Sequence, residues 1–241
     1  MKKAVFMILI LWAAPAVNAN AESDAEWMRR VSAGFSTSGG NTEKGSANGE
    51  IFVSRKTEDD EGVFKATGNL GSSEGKLDSK KFYGLFRYDN KFGPERRWYQ
   101  FGKLEGTQDV FANINYRITP GYGVGRWFYD EADFKLKAEA ALGYQFTDYR
   151  DSTKDEGDVV LIPRAYLEKQ LLENLRLTED ITMYPSLEGG AFRLRSETSL
   201  VSKINDRMSW KFGFVDDYDS DPAPGTKKND YILTAGIDYN F

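Results

Sequence analysis

The chain has 241 residues, and its 32 Lys and Arg against 37 Asp and Glu leave a net charge of −5, with no basic patch to suit nucleic acid. Neither Cys nor His occurs, which excludes disulfides, thiolate chemistry, Ser–His catalysis and the commonest transition-metal ligand. Aromatic residues make up 14% although mean hydropathy is only −0.56, too polar for a bundle of membrane helices.

In chain order, Lys2 and Lys3 precede an apolar run from Ala4 to Ala16, and small residues follow at Ala19-Asn20-Ala21. This pattern is a secretory signal over 1–21, too short in its apolar part to span a bilayer. From 22 to 241 the sequence predicts one domain. Period-two alternation and turn residues place strands at 26–38, 44–56, 62–71, 80–92, 97–108, 115–128, 134–148, 159–171, 175–186, 191–203, 208–218 and 230–241. The clearest runs from Phe134 to Phe146. Phe134, Leu136, Ala138, Ala140, Leu142, Tyr144 and Phe146 share one face, and Lys135, Lys137 and Glu139 lie on the other. Thirteen residues exceed the usual soluble strand and suit a tilted membrane strand of about nine to eleven.

An even strand count fits a bacterial barrel, and so does the alternation of compact turns (58–61, 93–96, 130–133, 172–174, 204–207) with connections at 72–79, 109–114, 149–158 and 219–229 that include longer ones. The fold class read from this is all-β: a single antiparallel transmembrane barrel, most simply of twelve strands. A soluble sandwich or lipocalin-like periplasmic binding barrel is the alternative, with its apolar faces turned inward. Strand length, the aromatic C-terminus and the turn pattern favour the membrane. Trp27, Trp98, Trp127 and Trp210 fall next to strand ends on the side of the termini, where an aromatic girdle belongs. The last strand ends on Tyr239 and Phe241 in its apolar set, which resembles the C-terminal signature that barrel-assembly machinery reads. Two residues break the pattern: Glu179 and Arg126 fall on outward faces, through a bulge or through placement outside the hydrocarbon band.

With apolar faces outward, the lumen-lining set is Lys135, Lys137, Glu139, Arg164, Glu168, Arg176, Asp180, Arg193, Arg195 and Glu197. The signs are mixed, with a local excess of Arg and Lys. A basic stripe would favour anionic solutes, and an ion-pair network would instead close the barrel. Twelve strands give a backbone cylinder of about 25 Å and about 10 Å or less inside the side chains, so geometry leaves open and occluded lumens equally served. Gly121, Gly123 and Gly125 do not form a nucleotide loop, since Arg126 stands where the last Gly is needed. They share an inward face and make room for long side chains opposite. Asp217-Tyr218-Asp219-Ser220-Asp221 begins like a calcium loop, but Pro222 and Lys228 occupy its Gly and Glu positions. No metal, cofactor or catalytic residue is expected.

Thr37-Ser38-Gly39-Gly40-Asn41-Thr42, the Gly121–Arg126 stretch, and Tyr218 and Pro222 leading through Lys227-Lys228-Asn229-Asp230 to the aromatic terminus resemble a family of salt-induced outer-membrane proteins. That family is itself a domain of unknown function. The resemblance implies a barrel in the cell outer membrane and a link to osmotic or salt stress, and brings no substrate or catalytic residues. The function expected is a narrow channel or a salt-responsive envelope protein, not an enzyme. The competing class is a non-conducting structural or interaction barrel that presents 72–79, 149–158 and 219–229 to partners. Outer-membrane lipid, lipopolysaccharide and the assembly machinery are the remaining partners expected.

Overall fold

A computed structural model describes residues 25–40, 44–73, 76–110, 112–150, 156–223 and 225–241; the export signal read over 1–21 lies outside them. Twelve strands follow one another: β1 (Glu26–Gly39), β2 (Lys44–Lys56), β3 (Asp60–Ser73), β4 (Lys76–Phe92), β5 (Trp98–Asp109), β6 (Ile114–Asp130), β7 (Phe134–Tyr149), β8 (Glu156–Leu172), β9 (Leu175–Pro185), β10 (Phe192–Lys203), β11 (Met208–Asp219) and β12 (Asn229–Asn240). Each pairs antiparallel with its chain neighbours, and β1 pairs with β12 from Arg30↔Asn240 to Gly39↔Tyr231, closing the barrel. Closure leaves no sheet edge without a hydrogen-bonded partner, the condition for a sheet to stand in hydrocarbon. The shortest strand, β9, has 11 residues. At about 3.3 Å per residue and a tilt near 40°, that length rises about 28 Å, enough for the apolar band of a bilayer.

The faces are inverted relative to a soluble protein. Phe35 is 79% exposed, and Phe86, Tyr122 and Leu142 are likewise outward, whereas Arg87, Asp89, Lys103, Arg117 and Glu139 are buried. A soluble barrel would place these sets the other way round, so the lipocalin-like alternative fails on the direction of its side chains. The apolar part of the interior is small: Tyr99, Phe101, Ala141, Val160, Ile162 and Tyr184 form one cluster on the inner wall. Gly125 makes room for it, because a Cβ there would fall 2.3 Å from the Tyr99 ring carbon Cζ.

Strand positions agree with the sequence reading, and three details differ. The connection expected at 72–79 is mostly strand, since β3 runs to Ser73 and β4 starts at Lys76 with a register shift between Gly71 and Ser72. Trp27, Trp98 and Trp210 are exposed on the outer face near the strand ends on the side of the termini. Trp127 is not in that girdle. It packs against Tyr99 inside, with ring centroids 6.5 Å apart. Parity is the reason: Arg126 takes the outward position and stacks over Trp98 and Phe128, so its chain neighbour must turn inward. Glu179 does face outward, and the register through it is unbroken. No bulge rescues it; its carboxylate accepts hydrogen bonds from Ser196 Oγ at 2.7 Å and Thr198 Oγ1 at 2.5 Å on β10.

Candidate functional site

The inward positions of the strands build a charged lumen, and its charges are organised into webs. Glu139 on β7 is the hub of the first. It accepts from Arg87 of β4 at 2.7 and 3.0 Å, from Arg164 of β8 at 2.9 and 3.1 Å, and from the Tyr99 hydroxyl at 2.7 Å. Each guanidinium is forked a second time, Arg87 onto Asp89 and Arg164 onto Asp180 on β9. Planar Arg suits such paired bidentate contacts, which Lys as a point charge cannot make. Lys137 completes the hub 3.5 Å from Glu139, with its ammonium over the Tyr99, Trp127 and Tyr166 rings.

The second web crosses the barrel. Lys65 on β3 donates to Glu197 on β10 at 2.8 Å, and Lys81 on β4 donates to Asp217 on β11 at 2.9 Å. Arg195 joins those two acids, lying 2.7 Å from each. Glu50 on β2 gathers Arg30 at 2.9 Å and Lys211 at 3.1 Å, and Lys81 also reaches Asp109 at 3.0 Å. Between the webs, Glu105 on β5 accepts from Tyr184 on β9 at 2.9 Å and from Tyr83 at 3.1 Å, and pairs with Lys103 at 3.2 Å. Strands that are not neighbours in the sheet can meet in this way only through the interior.

Of the residues singled out in the sequence, Lys137, Glu139, Arg164 and Asp180 come together in the first web, and Arg195 and Glu197 in the second. Lys135 and Arg176 both sit 3.4 Å from Glu168, nearer the ends that carry the termini. Arg193 stands apart, donating to Gln145. A basic stripe is therefore absent from this set, since each of its other cations faces a carboxylate. The sequence reading missed Arg87, Asp89, Lys65, Lys81, Glu50 and Glu105. The alternation that located Lys135 and Lys137 also marks them: Lys81, Tyr83, Arg87 and Asp89 interleave with Phe82, Gly84, Phe86 and Tyr88. Asp217 of the calcium-like string is committed to Arg195 and Lys81, and Gly121–Arg126 is a continuous part of β6.

Polar cavities lie between the webs. One of about 250 Å³ is lined by Lys65, Arg87, Lys103, Arg164, Asp180 and Glu197. It shares Tyr83, Glu105, Tyr184 and Arg195 with a cavity of about 80 Å³. That one shares Arg117, Tyr149, Arg193 and Asp219 with a third of about 240 Å³ at the end opposite the termini. Long side chains, rather than backbone, divide one from the next.

An apolar outer wall, a closed twelve-stranded ring and a polar interior define a β-barrel of the outer-membrane type. A family model described as "Protein of unknown function, DUF481" matches residues 31–241, and the chain belongs to that family. No curated protein matches it. Among solved structures it is similar to the NanC porin, with a TM-score of 0.55 at 10% identity, covering 88% of this chain and 100% of that one. It is also similar to the translocator domain of the autotransporter NalP from Neisseria meningitidis, with a TM-score of 0.50 at 13% identity over 89% of this chain and 88% of that one. At such identities the likeness is one of fold.

Proposed function

We propose that residues 1–21 direct export and that the barrel sits in the outer membrane as a narrow channel for small polar solutes. The observation that carries this reading is the run of polar cavities along the lumen, adjacent ones sharing side chains such as Tyr83, Glu105, Tyr184, Arg195 and Asp219. Such side chains can give way by changing rotamer, whereas a backbone plug must unfold or swing out. Matched charges along the path hold water without creating a deep trap for either ion sign, and conduction needs sites that release what they bind. The resemblance to salt-induced proteins adds an osmotic role, tested by comparing the amount of protein in cells grown at low and high salt; an unchanged level removes that role.

Planar-bilayer recording on the refolded protein tests the channel itself. Small discrete current steps are expected, below those of wide general porins. A silent membrane, with folding verified by heat-modifiable gel migration, would leave a structural barrel that presents its connections to partners.

A further inference from the structure

Most charges of the lumen answer one another, but Arg193 and Asp158, which face the same cavity, do not. Among the described residues Arg193 makes no ion pair. Its Nε donates to Gln145 Oε1 at 2.9 Å, Nη2 reaches the same oxygen, and the guanidinium lies 4.4 Å from the centre of the Tyr184 ring. Gln145 stands directly opposite Asp158 in the β7–β8 ladder. Asp158 has neither an ion pair nor a side-chain hydrogen bond among the described residues. Both line the cavity of about 240 Å³ at the end of the barrel opposite the termini.

A desolvated charge without a partner is costly, and for most charges of this lumen the chain supplies one. Arg117, on the same wall, is held by Thr147 at 2.9 Å and lies 3.4 Å from Asp219. It therefore does not neutralise Asp158. A simple anion in the cavity would satisfy Arg193 and meet Asp158 as a like charge; a simple cation would do the reverse. A solute carrying both a carboxylate and an ammonium satisfies the two at once. The volume lies below that of typical drug-sized pockets, about 300 Å³ and above, and so selects a small molecule.

We propose that this vestibule is a binding site for small zwitterionic solutes of the amino-carboxylate class. The carboxylate lies on the Arg193 guanidinium, and the ammonium lies on the Asp158 carboxylate. The Tyr184 ring, already stacked on Arg193, closes the side toward the lumen. The proposal rests on the channel reading, because it makes the vestibule the first station of the path.

Isothermal titration of the refolded barrel in detergent uses glycine, 4-aminobutyrate and 6-aminohexanoate as a length series, with butyrate and butylammonium as single-charge controls. At least one amino acid of the series is expected to bind at least about tenfold tighter than either control, and Arg193→Gln and Asp158→Asn should each weaken it by a similar factor. Asp158→Asn keeps the side chain's shape, Arg193→Gln removes the charge and keeps a shorter donor group, and heat-modifiable migration verifies the fold of both. Butyrate binding as tightly as the best amino acid would make this a plain anion site and overturn the proposal. Absence of binding across the series would overturn it too. Binding needs no current, so a barrel that binds without conducting refutes only the channel, and one that conducts without binding refutes only this site.

Discussion

Lys65 on β3 donates to Glu197 on β10 at 2.8 Å, although β2, β1, β12 and β11 lie between those strands on the shorter way round the ring. The bond is a bar across the lumen. Lys65 also lies 4.0 Å from Glu50, yet its removal leaves neither acid stranded, because Glu197 keeps Arg195 at 2.7 Å and Glu50 keeps Arg30 and Lys211. Lys65→Met should therefore fold and lose about 1.5–3 kcal/mol of stability, the scale of one hydrogen bond to a charged group. If the bar limits the passage, single-channel conductance should rise by about twofold or more in the same bilayers. A variant with wild-type conductance would place the constriction elsewhere.

Glu139 is a different case. Arg87 and Arg164 both depend on it, and the side chain is buried with almost no solvent to replace it. Glu139→Gln removes the charge that two guanidiniums share and gives them an amide whose NH₂ group points at one of them. Breaking a buried pair by removing one partner typically costs about 3–5 kcal/mol. Urea unfolding in lipid vesicles should register a loss of that order. Asp180→Asn should cost less, since Arg164 would keep Glu139 and the site is more open. Equal losses would argue against Glu139 as the hub.

Much of this architecture is legible in the sequence, for a physical reason: the outer and inner faces of the barrel are solvated oppositely, so period-two alternation is strong. The expected range 44–56 is β2 itself, and β7 begins at Phe134 as read. Pairs between adjacent strands follow from hairpin register, as Glu139↔Arg164 and Lys135↔Glu168 do across the β7–β8 turn. Lys65–Glu197 and Lys81–Asp217 are not legible in that way. They depend on the stagger with which the twelve strands close, a property of the whole ring rather than of any hairpin. Glu179 shows a second limit. Alternation correctly placed it outward, but the hydroxyls of Ser196 and Thr198 that serve its carboxylate come from another strand.

Gly125 offers a test of the inner packing. A Cβ at this position would meet Tyr99 at Cζ and Oη, both under 2.5 Å, and Tyr99 is the ring whose hydroxyl donates to Glu139. Gly125→Ala should push that ring aside and cost about 1–3 kcal/mol, as overpacking does. Gly102 on β5 is the matched control, with nothing within 4 Å of the added carbon. Gly102→Ala should be neutral or slightly stabilising. Matching losses in the two variants, measured by thermal or urea unfolding, would mean that crowding at Tyr99 is not the cause.

The four tryptophans outside the export signal divide three to one, and fluorescence can read the division. Trp27, Trp98 and Trp210 present their rings on the outer face, each more than 40% exposed. Trp127 lies inside, between Tyr99 and the Lys137 ammonium, which is 4.6 Å from its ring centre. Single-tryptophan variants, with the other three changed to Phe, can be refolded into vesicles containing a lipid brominated along its acyl chain. Quenching by bromine requires near contact with the tail. Trp27, Trp98 and Trp210 sit where amphipathic rings meet the bilayer interface, so all three should be quenched when the bromine is near the headgroup. Trp127 should keep its emission at every bromine depth, because the barrel wall stands between its ring and the lipid. Iodide added from the aqueous side should reverse the contrast if the end of the lumen near Trp127 admits small ions. Strong bromine quenching of Trp127 would return it to the girdle and overturn the inward register of β6 at that point.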